Sequence, residues 1–147
     1  MTRLQSTRGL ADHARGFKTV SEAVYLRNHV LEELEAADTV DDLGDRRAAA
    51  TFVVIGAGYA GTELVAELEA MSRRAVGRYR RLDRGDLRWV LVNRSDRVLP
   101  ELGPRLGREA VQVLRRGGST SASTPPWRRS AAAGCGCRTG RRSRPGR

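Results

Sequence analysis

Thr51-Phe52-Val53-Val54-Ile55-Gly56-Ala57-Gly58-Tyr59-Ala60-Gly61 is the stretch whose reading decides the fold of this chain. Its first five residues make a short, apolar, β-branched run. A parallel strand reads this way when helices cover both its faces. Gly56 to Gly61 then spells G-x-G-x-x-G, and each glycine has a mechanical use. The first lets the chain turn sharply out of the strand, the second lets the backbone approach a pyrophosphate, and the third lets a helix pack closely on the strand. Leu64, Val65, Leu68 and Met71 follow at helical spacing, with Glu63, Glu67 and Glu69 mostly on other faces. Six residues alone are weak evidence. A strand before them, an amphipathic helix after them and a second apolar strand beyond, Trp89 to Val92, make the pattern specific. A bound dinucleotide would then set its negative charge against the free amides and positive dipole end of the helix. A glycine-rich turn that binds nothing is the competing reading and ranks below it. The expected fold class is α/β, a partial Rossmann-type doubly wound parallel sheet.

Toward the N-terminus, Thr19-Val20-Ser21-Glu22 fits a capping box. Ala23, Leu26, Val30 and Leu34, widened by Leu31, predict a helix from about Val20 to Ala36. Met1 to Gly16 reads as loop. Asp38 to Arg47 reads as an exposed polar connection broken at Gly44. Toward the C-terminus, the helix after Gly61 is expected to fray in the Arg-rich stretch Arg73 to Arg84, and Gly85-Asp86 to break the chain. A Rossmann domain usually ends its second strand on an acid that accepts from the adenosine ribose. Here that position is Asn93, followed by Arg94, and the Arg-rich insert lengthens the spacing from the last glycine. Asn93 can hydrogen-bond a ribose without the charge. Arg94 could meet a 2′-phosphate, which leaves NADP(H) open beside NAD(H); a solvated loop arginine is the plainer reading. Pro104 suits the first turn of a further helix, with Leu106, Ala110, Val113 and Leu114 as its apolar side and Gly117 as its stop.

With 147 residues the chain suits one domain, and 39% of it is hydrophobic. No apolar run approaches the roughly 18 residues of a membrane span, and Met1 to Leu10 lacks a signal-peptide core. A soluble, cytoplasmic chain is expected. The net charge of +10 is uneven: residues 1–118 sum to +3, while 119–147 hold seven Arg and no acid. Lys18 is the one lysine, an Arg excess of the kind a GC-rich genome encodes. Ser119 to Arg147 has one Trp and no Leu, Ile or Val, so a disordered basic tail is expected there. Seven Arg could hold phosphates weakly and without specificity. No aromatic ladder or known module accompanies them, so no specific nucleic-acid partner is expected. Cys135 and Cys137 form a lone C-x-C, too few ligands for zinc.

Several segments together resemble the type II NADH dehydrogenase group of the pyridine nucleotide-disulfide oxidoreductase superfamily. His13-Ala14-Arg15-Gly16-Phe17-Lys18-Thr19-Val20, with Ala23 and Leu26-Arg27-Asn28-His29, is similar to that family's helix leading from its flavin domain into its NADH domain. Phe52 to Leu64 resembles its G-x-G-x-x-G-x-E motif, and Trp89 to Val92 with Arg97-Val98-Leu99-Pro100 its second strand and following turn. The resemblance implies NADH contacts at Gly56, Ala57, Gly58, Tyr59, Ala60 and Gly61, with the acid Glu63 near the nicotinamide end and Asn93 at the ribose. It implies hydride transfer from NADH to FAD and onward to a quinone, in enzymes peripheral on the cytoplasmic face of the inner membrane.

A first glycine motif for FAD and a returning flavin domain belong to that pattern, and neither is found in these 147 residues. The expected division is therefore 1–47 as a linker with one helix, 48–118 as a partial NAD(P)H-binding domain, and 119–147 as the tail. On this reading the chain is an internal fragment that holds no FAD and is inactive by itself. In the neighbouring reading frame, Ser119 to Thr124 would alternate apolar and polar residues as a strand does. That suggests a frameshift or sequencing error near Gly118. A non-catalytic gene remnant and a basic-tailed interaction module are the alternative readings.

Overall fold

The computed structural model describes residues 13–93 and 97–122. Helix α1 spans Val20–Asp38, α2 Leu43–Ala49, β1 Thr51–Ile55, α3 Tyr59–Val76, β2 Arg88–Val92, α4 Gly103–Gly117 and β3 Ser119–Ala122, with a 3₁₀ turn at Pro100–Leu102. The strands form one parallel sheet in the order β1-β2-β3. Phe52 pairs with Trp89 across the first ladder, and their rings stack 4.7 Å apart.

Helix α1 begins where the capping box sets it. The Thr19 hydroxyl accepts from the Glu22 amide, and the Glu22 carboxylate accepts from the Lys18 and Thr19 amides at 2.6 and 2.8 Å. Those bonds, Lys18 first, hold the Glu22 carboxyl below its ordinary range. Val30, Leu34 and Ala37 are its buried face, packed on α2 and α3. The core continues through Val65, Val76, Leu82, Leu87, Trp89, Leu91 and Leu114.

Four expectations need correction. Asp38 to Arg47 is not all exposed connection: Asp42 accepts from the Asp45 amide and starts α2, so Gly44 lies inside a helix. Helix α3 holds its hydrogen bonds to Val76, within the stretch expected to fray, because Val76 and Ser72 are buried under it. On β1 only one face is well covered: Val53 and Ile55 are 56% and 46% exposed, since α3 lies across the other side with Phe52 and Val54. Finally, the segment expected to be disordered from Ser119 opens with β3, parallel to β2. Backbone pairing needs no particular side chain, and the edge of β2 offers its amides and carbonyls there. The remainder of the expected tail lies outside the described residues.

Helix α4 also differs in detail. Leu114 and Gly107 are buried, but Leu106 and Val113 stand 47% and 63% exposed. Gly117 is its last residue, and the stop is Gly118 in a left-handed conformation, φ +100°.

Candidate functional site

The glycine turn sits at the C-terminal end of β1, between the sheet and the first turn of α3. Gly56 extends the sheet by donating to Val92 O at 2.8 Å, then turns away at φ +107°, where a side chain would be strained. Gly61 faces back onto that turn. A Cβ on Gly61 would stand 1.9 Å from Gly56 O, closer than any atom can come. Gly58 is the opposite case. Its φ of −78° suits any residue, and among the described residues a Cβ there would meet within 4 Å only Glu101 Oε1, at 3.8 Å. The backbone at Gly58 is therefore open, and no side chain caps the amides that begin α3. The three glycines have the three different surroundings that a pyrophosphate cradle requires.

The flanking positions divide between packing and exposure. Ala57 is buried, while Tyr59, Ala60 and Glu63 are exposed on the first turns of α3. Asn93 lies against the glycine turn. Its Oδ1 is 3.5 Å from the Ala57 amide nitrogen, a long contact, and its Nδ2 donates to Arg97 O at 2.7 Å. The side chain expected at a ribose thus also braces the loop after β2 against the loop after β1. Arg94, expected beside a 2′-phosphate, lies outside the described residues.

Two features of the same place escape motif reading. Leu99 donates from its amide to Ala57 O at 2.7 Å and takes φ +50°, a conformation that costs a bulky residue energy. The chain then enters the Pro100–Leu102 turn, which carries the Glu101 carboxylate to the mouth of the glycine turn. A dipeptide such as Leu-Pro announces a turn but not which side chain the turn will present.

No family model matches the chain. Two curated proteins of Mycobacterium tuberculosis are similar to it. The type II NADH:quinone oxidoreductase NdhA is 35% identical over 107 residues, and the type II NADH:quinone oxidoreductase Ndh is 31% identical over the same length. The matched stretch is homologous to the type II NADH:quinone oxidoreductases. It makes up 72% of this chain but 23% of each of these oxidoreductases, so the chain spans about a quarter of their length. The match to them accords with the internal position within such an enzyme that the sequence resemblance implied. Among the described residues no helix is long and apolar enough to cross a membrane, and no cluster of His, Cys, Asp or Glu could hold a metal.

Proposed function

We propose that residues Gly56 to Gly61 bind NADH, within a Rossmann-type domain that serves a flavin-dependent NADH:quinone oxidoreductase. The observation that carries this reading is the contrast among the glycines: Gly61 jammed against Gly56 O, Gly56 at positive φ, Gly58 open. A structural turn needs the first two but has no use for the third. The parallel order β1-β2-β3 supports the reading, being that of one half of a doubly wound sheet. So does the homology to enzymes named for NADH and quinone.

When bound, the dinucleotide supplies a hydride, which the resemblance to the family routes to FAD and then, as electrons, to a quinone. The residues of this chain bind and orient. The uncapped amides from Tyr59 onward meet the pyrophosphate, Ala57 and Asn93 hold the turn in shape, and Glu63 stands one turn into α3 toward the nicotinamide end.

The test is Gly58→Val. Because φ at Gly58 is ordinary and its one side-chain neighbour among the described residues is the tip of Glu101, valine should leave the fold intact. The branched side chain should keep the pyrophosphate from the amides and weaken NADH binding by more than about a hundredfold, the loss of two or more charge-assisted hydrogen bonds. Fluorescence titration of NADH reads the affinity, and far-ultraviolet circular dichroism the fold. Equal affinity in both proteins would sink the assignment.

A further inference from the structure

We propose that Asn93 is a positioning residue for the pyrophosphate and not a ligand of the ribose: with Leu99 it grips Ala57 and holds the glycine turn in its binding shape. The inference rests on the dinucleotide reading above and assigns a role within it. Ala57 is 1% exposed, so its peptide groups need partners inside the protein. Both find them on the segment after β2. The Ala57 amide meets Asn93 Oδ1 at 3.5 Å, and the Ala57 carbonyl accepts from the Leu99 amide at 2.7 Å. Ala57 stands between Gly56, at φ +107°, and Gly58, which begins α3. Glycine resists rotation least, so a turn with one on each side of Ala57 has little stiffness of its own. The two bonds on Ala57 remove that freedom from outside the turn.

Asn93 is suited to this task by its chemistry. A side-chain amide accepts at one end and donates at the other. Nδ2 donates to Arg97 O at 2.7 Å, which fixes the plane of the group and aims Oδ1 at Ala57. One orientation of the amide satisfies both neighbours. A carboxylate, the usual group at this place in a Rossmann domain, has no donor for Arg97 O and would set oxygen against oxygen. The position that reads as a missing ribose acid thus carries the residue type that the loop contact demands.

Leu99 supplies the other half of the grip. It does so at φ +50°, a strained conformation held by the bond to Ala57 and by the burial of its side chain. The turn beyond it is closed by Leu102 N to Leu99 O at 3.0 Å. Helix α4 backs the segment: Gly107 lies so near Val98 that a Cβ would stand 2.5 Å from its carbonyl oxygen.

The experiment titrates NADH, inorganic pyrophosphate and adenosine separately against the wild-type chain, Asn93→Ala and Asn93→Asp, with circular dichroism as the check on folding. Pyrophosphate has no ribose, and adenosine has no phosphate. Both variants should weaken NADH and pyrophosphate alike by about tenfold, the scale of one hydrogen bond, and leave adenosine unchanged. Relative to the wild type, the loss in Asn93→Asp should shrink as pH falls toward about 4, because a protonated carboxyl can again donate to Arg97 O. Hydrogen exchange in the wild type should find the Ala57 amide protected, and free exchange there overturns the grip whatever the variants do. Tighter NADH binding by Asn93→Asp with pyrophosphate unchanged places Asn93 at the ribose and overturns the proposal. Unchanged affinities throughout also overturn it, while leaving dinucleotide binding intact. If the folded wild type binds neither NADH nor pyrophosphate, the dinucleotide reading falls and this inference with it.

Discussion

Ser72 shows how one small polar side chain can be indispensable inside a core. It is fully buried, accepts the Trp89 indole N–H at 3.1 Å and donates to Glu69 O at 2.9 Å. Trp89 is itself 2% exposed, so its N–H has no route to water. Ser72→Ala should cost about 1–3 kcal/mol, the penalty of an orphaned buried donor. In a domain of this size that lowers the melting temperature by at least about 4 °C. A thermal melt checks it, and an unchanged midpoint would show that the indole finds another acceptor. Close by, Glu69 is also buried and paired with Arg73 at 2.8 Å, although helical spacing had set it off the apolar face. Gly117 and Gly118 explain why it fits: a Cβ on the first would stand 2.4 Å from Glu69 Oε2, and on the second closer still to Arg73. The glycine pair that ends α4 thus makes room for an ion pair on α3. Periodicity counts positions along one helix and cannot anticipate a space cleared by another.

Helix α2 illustrates the same point at the scale of elements. Its sequence, LGDRRAA, has no apolar stripe, and none of its residues is buried. Its arginines nevertheless reach across the fold: Arg46 donates to Arg81 O at 2.9 Å, and Arg47 pairs at 3.0 Å with Asp86, which is 4% exposed. The end of α1 is tied to the same loop, since Asp38 accepts from the amides of Arg80, Arg81 and Leu82 at 3.2, 2.7 and 2.9 Å. The Arg81 amide above all, then those of Leu82 and Arg80, holds the Asp38 carboxyl below its usual value of 3.8. A depressed folded value means that this anchor stabilises the fold at every pH above about 3.8 and is lost as pH falls through the lower, folded one. Asp38→Asn should therefore lower the urea midpoint near neutrality, because an NH₂ then faces a backbone N–H. The gap between the two proteins should begin to narrow as pH drops below about 3.8 and go on closing as the folded wild type protonates at its lower value. A gap that persists undiminished at pH 3 would mean that Asp38 acts by packing and not by charge. The polar stretch Asp38 to Arg47 looked like a connection because its work is long-range, done by side-chain tips on a loop some forty residues away.

Among the described residues the helices flank one parallel sheet, with an apolar strand, β1, at one edge and part of its face exposed. The relatives it matches are about three times its length, and the resemblance to their family implies two dinucleotides held face to face. These 147 residues carry one G-x-G-x-x-G. Purified by itself, the polypeptide should be colourless and should not pass electrons from NADH to a quinone, even with FAD added, though it should still bind NADH. A yellow protein with quinone-dependent NADH oxidation would refute this.

What the sequence determined by itself was local. The capping box at Thr19, the apolar runs of β1 and β2 and the glycine pattern each rest on bonds or sterics within a few residues, so composition and spacing suffice to read them. The uses of Gly56 and Gly61 were legible for the same reason, because they face one another across a single turn. The tertiary structure decided everything that depends on distant neighbours. It put β3 beside β2 despite side chains that do not suggest a strand, since the open edge supplies the bonds. It gave α2 its role through Arg46, Arg47 and Asp38, and it buried Glu69 beneath the end of another helix. At the candidate site it set Asn93 as a brace and carried Glu101 to the open face of Gly58, a meeting of residues forty-three positions apart that no local pattern encodes. Local rules follow from one chain's own geometry; these placements follow from which surfaces the folded chain brings together.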